Sequence, residues 1–350
     1  MTPDIALILG IDGIATGSIY VLVGLGLVLI FSVTRVVFVP FGDIVAFSAL
    51  TLASIQLNRF PGTVYLILTL ALVACAVEAV SLWRRGRSRQ IPRGVFLYGV
   101  LPLIPAAIAY LTAGAELPAM VQILLAIALV TPIGPLIERI ALRPIADASV
   151  LLLLIVSVAL TFGLSGLGLL FFGPEGFRTK PLTTEVFRFG SVIVTSQTLL
   201  MVASAAVFSL LLFLFFEHTL SGKALRATAI NRVGARIVGI RPASSGALAF
   251  LLASLLGAIS GILISPVTTL YYDSGFIIGL KAFVGAIIGG LASYPGTAIG
   301  ALLVGLLESF ASFWSSSLKE VIVFSLLIPV LLWRSLSLTQ VDEEDEEVQG

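Results

Sequence analysis

The chain reads as a succession of long apolar runs separated by short polar or Gly/Pro breaks. Eleven runs can be marked, at 5–33, 36–56, 63–83, 94–112, 118–138, 149–172, 197–217, 242–265, 275–290, 296–314 and 318–334. Most approach or exceed the roughly 20 residues that a helix needs to cross a bilayer, and the short ones predict broken or re-entrant segments. In lipid every backbone amide must find its partner inside the protein, so these runs predict helices. The weak alternation of a transmembrane barrel is absent. The breaks are marked by Arg59-Phe60-Pro61-Gly62, by the stretch 84–93, by Arg143-Pro144, by Gly173-Pro174-Glu175-Gly176 and by Tyr294-Pro295-Gly296. The pattern predicts an all-α, polytopic integral membrane protein over residues 1–340, with about 9–11 spanning or partly spanning helices.

Composition sharpens this. Of 350 residues, 58% are hydrophobic and 11% charged, against about 25% charged in soluble domains. Mean hydropathy is +1.13. A soluble enzyme, a disordered chain and a disulfide scaffold are thereby excluded. The net charge of +1 conceals an acidic tail, 341–350, with Asp342, Glu343, Glu344, Asp345, Glu346 and Glu347. That tail predicts a solvated, disordered end. The remaining body is basic, and this asymmetry does not point to nucleic acid. A lone cysteine, Cys75, and a lone histidine, His218, leave no intrachain disulfide and no multi-histidine metal site. The first run has no basic region before it and is read as a retained helix.

Basic residues set the expected orientation. With 218–241 placed in the cytoplasm and the runs alternating, the inner side holds Arg35, Arg84, Arg85, Arg87, Arg89, Arg93, Arg139, Arg143, Lys223, Arg226, Arg232, Arg236, Arg241 and Arg334. The outer side holds only Arg59, Arg178, Lys180, Arg188 and Lys319. This predicts an outside N-terminus, a cytoplasmic C-terminus and an outward-facing loop 173–196.

Glycines recur one turn apart at Gly13/Gly17, Gly257/Gly261, Gly285/Gly289 and Gly296/Gly300. Such spacing predicts close helix packing, and Gly285, Gly289, Gly290, Gly296 and Gly300 are assigned to it. In the polar stretch 221–241, Leu225, Ala229, Val233 and Ile237 recur every four residues, with Arg232 and Arg236 on another face. This predicts a short amphipathic helical unit. Asn231 can cap a second short helix and Gly239 can end it. On these residues alone the stretch is either a linker drawn to anionic headgroups or a dock for a cytosolic partner.

Charges within apolar runs are costly and so are functional candidates. Asp12, Asp43 and Glu78 lie near the ends of their runs, where solvation is expected. Lys281 and Glu308 lie deeper. They are expected either to pair across the runs 275–290 and 296–314 or, with Asp43, to line a substrate pathway. His218 is expected at the interface.

Four stretches share a resemblance. Gly222-Lys223-Ala224, Arg226-Ala227, Ala235 and Gly239-Ile240 resemble the coupling loop of the branched-chain amino acid permeases of ABC importers. A second stretch runs from Lys281-Ala-Phe through Gly289-Gly290 to Ser293-Tyr-Pro295-Gly296 and Gly300, and is similar to that family's glycine-rich segment. Ile137-Glu138-Arg139-Ile140-Ala141-Leu142-Arg143-Pro144 and Thr16-Gly17-Ser18-Ile19-Tyr20 also fit. Together they cover roughly 5–56 and 118–334. The resemblance implies the permease subunit of an importer moving branched-chain or related amino acids across the plasma (inner) membrane. It implies four partners: a second homologous permease, two cytosolic ATPase subunits and an extracytoplasmic binding protein. Gly222, Lys223, Ala224, Arg226, Ala227, Asn231, Ala235, Gly239 and Ile240 would then couple to the ATPases. The chain carries no Gly-x-x-x-x-Gly-Lys-Ser/Thr motif, so ATP and Mg²⁺ would be bound by the partner subunits, with no cofactor on this chain.

Two stretches depart from the family. Residues 37–43 keep only Gly42 and an acid, Asp43, of an Asn-Phe-Ala-His-Gly-Glu-like stretch. This leaves urea, a short amide or a sugar as alternative solutes. Residues 63–117 read as an inserted helix pair joined by an arginine-rich loop. An ion-coupled secondary transporter is a further alternative. An intramembrane enzyme is disfavoured, because no catalytic pair of Cys or His is available.

Overall fold

A computed structural model describes residues 3–84, 86, 91–146, 148–183, 185–189, 192–291, 293–325, 328–330 and 332. The acidic tail, Arg85, Arg87, Arg89 and Arg334 lie outside the described residues. The long helices are α1 (Pro3–Thr34), α3 (Thr63–Arg84), α4 (Ile91–Leu111), α5 (Ala119–Ile145), α6 (Val150–Phe172), α7 (Ser196–His218), α10 (Pro242–Ile264) and α12 (Tyr294–Trp314). These eight are long and apolar enough to span a membrane. Two shorter apolar helices, α2 (Phe41–Gln56) and α11 (Ser274–Ile288), lie among them. Outside the apolar set are α8 (Leu220–Ile230), α9 (Arg232–Ile237) and α13 (Lys319–Ser325). The protein is an all-α polytopic membrane protein, as the hydrophobic runs predict.

One departure lies in the 173–196 loop. Val186–Phe189 (β1) pairs antiparallel with Val192–Thr195 (β2), Phe187 opposite Val194. The sequence signal was present: β-branched and aromatic residues flank a Gly-Ser pair, but two four-residue strands are small beside the helices.

The core is built on α1, α2 and α10. From Gly13 onward nearly every residue of α1 is buried, on all faces. By contrast α6 and α7 present Leu151, Phe162, Leu170, Leu211 and Phe213 outward, an apolar surface suited to lipid. Against α1 lies α12, at backbone contact. A Cβ on Gly17 would lie 3.0 Å from the Leu302 Cα, and one on Gly305 would sit 2.5 Å from the Gly13 carbonyl oxygen. The α11–α12 pair repeats the device: a Cβ on Gly285 would be 2.7 Å from the Ala301 Cα, and Gly289 abuts Gly296. Gly290, at φ +94°, turns the chain between them. These contacts depend on small residues, because in lipid close packing, more than expulsion from water, drives helix association.

The run 36–56 is helical only from Phe41. After α1 the chain turns at Arg35 (φ +60°) and re-enters the bundle without helical structure. Phe38 meets Phe250 edge-on, ring centroids 5.0 Å apart. Phe250 lies eight residues into α10, so Phe38 is about 12 Å beyond that helix's start. Non-helical backbone at this depth must be satisfied by protein. The Val39 amide accordingly donates to Ser157 Oγ of α6, 2.9 Å away.

Candidate functional site

One end of the bundle carries an arm made of α8 and α9. Thr219 caps α8 by accepting from the Gly222 amide at 3.0 Å. Gly222 lies so close to α7 that a Cβ there would be 2.7 Å from the Phe216 Cα. Leu225 is fully buried, and Thr228 donates to Ser245 Oγ of α10 at 3.1 Å. Three inward positions therefore fasten α8 to the bundle. Asn231 breaks the helix, with φ −147°, and its side chain accepts from the Val233 and Gly234 amides at 2.9 Å each. A cap of this kind contributes about 1 kcal/mol. At the far end the Ile240 amide donates to the Ala235 carbonyl and the Gly239 amide to the Arg236 carbonyl. With Gly239 at φ +87° this is a Schellman ending, which a side chain with a Cβ would strain.

The four-residue apolar repeat does not form one continuous stripe. The break at Asn231 turns it, so that Leu225 faces inward while Val233 and Ile237 face out. Ile230 and Val238 are also exposed. Among the nominated polar residues Lys223 and Arg226 are exposed, Arg226 pairing with Glu217 at 2.8 Å. Ala224, Ala227 and Ile240 are half-buried, Ala235 is buried, and Asn231 and Gly239 are exposed.

At the opposite end a cavity of about 320 Å³ opens between α1, α10, α11, α12 and α13. Lys281 on α11 and Glu308 on α12 pair within it at 2.5 Å. Tyr20 of α1 donates to the other oxygen of Glu308, also at 2.5 Å. Glu320 stands 4.0 Å from the Lys281 ammonium, and Asp12 and Lys319 complete the charged lining. Ser309 donates to the Leu9 carbonyl at 2.8 Å and to Asp12 at 3.4 Å. The site thus offers two cations, three carboxylates and several hydroxyls around one space. Such a set can receive a small solute carrying both charges.

Asp43 departs from the reading of a solvated helix end. It is fully buried, and neither carboxylate oxygen has a hydrogen-bond partner among the described residues. The reason is the re-entrant segment before it: α2 starts inside the bundle, against the backbone of Gly275 on α11. Nor does Asp43 line the cavity that holds Lys281 and Glu308. Glu78 also departs from that reading, since it pairs with Arg139 of α5. Next to it Arg143 makes a two-point contact with Glu138, at 3.0 and 2.9 Å, and lies over the Tyr98 ring at 5.9 Å. The Glu-Arg…Arg-Pro stretch therefore meets α3 through the Glu78–Arg139 ion pair and α4 through the Arg143–Tyr98 ring contact, while Glu138 holds Arg143 within α5. Sequence reasoning missed Tyr20 as the second partner of Glu308, although the residue closes the Thr16–Tyr20 motif.

A polytopic bundle with an arm at one end and a cavity of paired charges at the other fits a membrane permease. The sequence comparisons agree. Residues 96–331 match the family model described as "Branched-chain amino acid transport system / permease component". That match begins inside the stretch 63–117 and leaves 63–95 outside it. Three relatives carry similar descriptions. The chain is 31% identical over 217 residues to the "High-affinity branched-chain amino acid transport system permease protein LivH" of Escherichia coli, covering 59% of this chain and 70% of that one. It is 30% identical over 208 residues to BraD of Pseudomonas aeruginosa, described in the same words, covering 57% and 68%. It is 27% identical over 228 residues to the "Probable branched-chain amino acid transport permease protein LivH" of Methanocaldococcus jannaschii, covering 59% and 70%. The chain belongs to the family of branched-chain amino acid transport permeases.

Proposed function

We propose that this chain is the membrane-spanning permease subunit of an ABC importer for branched-chain or related amino acids. In this reading it works in the plasma (inner) membrane beside a second, homologous permease. An extracytoplasmic protein delivers the solute, and two cytosolic ATPases, which bind ATP and Mg²⁺, drive its passage inward. The arm end faces the cytoplasm, with the N-terminus outside and the C-terminus inside. The basic residues Arg35, Arg143, Lys223, Arg226 and Arg241 near the arm support that orientation.

The observation that carries the reading is the arm itself. It is fastened to the bundle through Gly222, Leu225 and Thr228, yet it leaves Ile230, Val233, Ile237 and Val238 uncovered beside Lys223. ATPase closure presses on that apolar surface. Because α8 is bonded to α10 through Thr228–Ser245, the push passes into the bundle. At the opposite end Lys281 and Lys319 meet the solute carboxylate, and Asp12, Glu308 and Glu320 meet its ammonium.

The test is Gly239→Val in the assembled transporter. A β-branched residue at φ +87° deforms the end of α9 without touching the membrane core. ATP hydrolysis should persist while solute uptake per ATP falls at least several-fold. Unchanged uptake per ATP would remove the arm from the mechanism.

A further inference from the structure

At the arm end a second cavity, of about 350 Å³, is bounded by helix ends. Its walls are the last turn of α1 at Thr34, the end of α3 at Ser81 and Leu82, the end of α5 from Glu138 to Ala146, the start of α10, and α9. Among the described residues the charged lining is four arginines, Arg139, Arg143, Arg232 and Arg236, and two acids, Glu78 and Glu138. Both acids are engaged by arginines of α5: Glu78 pairs with Arg139 and Glu138 with Arg143. Arg232 donates to the Thr34 carbonyl at 3.4 Å, which anchors its guanidinium at the wall that α1 supplies. Arg236 is exposed and forms no ion pair among the described residues.

Its depth says what kind of anion fits. A space walled by helix ends lies at the edge of the membrane, where headgroups are. Trp83, on the last turn of α3, is largely exposed there, as expected of an aromatic side chain at the membrane–water boundary. Leu82, Leu142 and Phe250 supply an apolar floor beneath the arginines. We infer that this cavity binds the phosphate headgroup of an anionic phospholipid, held by Arg232 and Arg236 with Arg143 beside them. Basic pockets between membrane helices take anionic headgroups in this way. Arg232 and Arg236 both sit on α9, so a bound lipid straps the arm to α3 and α5. The freedom of the arm then depends on the anionic lipid content of the membrane.

The experiment uses the full chain released from bilayers of mixed phosphatidylglycerol and phosphatidylcholine, with retained lipids counted by native mass spectrometry. Wild type should keep one more phosphatidylglycerol than Arg232→Gln or Arg236→Gln, with phosphatidylcholine counts equal. Arg188→Gln, at the other end, should match wild type. Excess inorganic phosphate should leave the lipid in place. Equal phosphatidylglycerol retention in the arginine variants overturns the site. Displacement by inorganic phosphate overturns the lipid assignment in favour of a free anion. The readout involves neither transport nor ATP hydrolysis, so it stands or falls independently of the proposed function.

Discussion

The two charged cavities at opposite ends of the bundle use their charges differently. Around Lys281 the charges are interleaved: an ammonium bonded to a carboxylate that also accepts from Tyr20, with a further acid at 4.0 Å. Around Arg232 and Arg236 arginines outnumber carboxylates among the described residues, four to two. The first arrangement can exchange partners with a solute bearing both signs, because the ammonium and the carboxylate have each other to return to. The second favours anions alone. A buried pair costs desolvation on both sides, so it is weak evidence of stabilisation in itself. What it does is make the removal of either partner expensive.

The largest effect should come from breaking the balanced site. Lys281→Met leaves the largely buried Glu308 with Tyr20 as its partner among the described residues and should cost up to about 3 kcal/mol in unfolding experiments. The double change Lys281→Met with Glu308→Leu should recover much of that loss but no uptake. Normal uptake by the double variant would make the pair purely structural and end the contrast between the cavities. A smaller effect is expected from Glu78→Gln, which releases Arg139 into the arm-end cavity. Its loss of thermal stability should shrink as phosphatidylglycerol is added, whereas that of Lys281→Met should not respond to lipid charge. The smallest effect should follow Arg226→Gln. The Arg226–Glu217 pair is about half exposed on both sides, so its removal should leave the melting temperature unchanged. A marked drop there would mean that pairing, and not burial, governs these sites.

The helices were legible because each is a long apolar run, and membrane helices have few other ways to satisfy their backbones. The caps of the arm were legible too, since Asn231 and Gly239 act through local geometry. Positions that depend on distant contacts were not. Asp43 lies in the first turn of α2, and nothing local says that α2 begins within the bundle after a re-entrant stretch. The Leu225–Ile237 repeat placed its members on one face, because a four-residue spacing cannot reveal in which direction the second helix, capped by Asn231, leaves the first. Likewise Glu78 and Arg139 are 61 residues apart, and their meeting is a property of how α3 packs on α5.

The seam between α1 and α12 has one more implication. Gly17 lies three residues before Tyr20, and Gly305 three before Glu308, so each glycine stands one helical turn from a member of the hydrogen bond between those two side chains. Main chain against main chain acts as a fixed gauge: no substitution can narrow the gap, and any added side chain drives a wedge into it. The reach of the tyrosine hydroxyl to the carboxylate is therefore calibrated by two residues that have nothing to reach with.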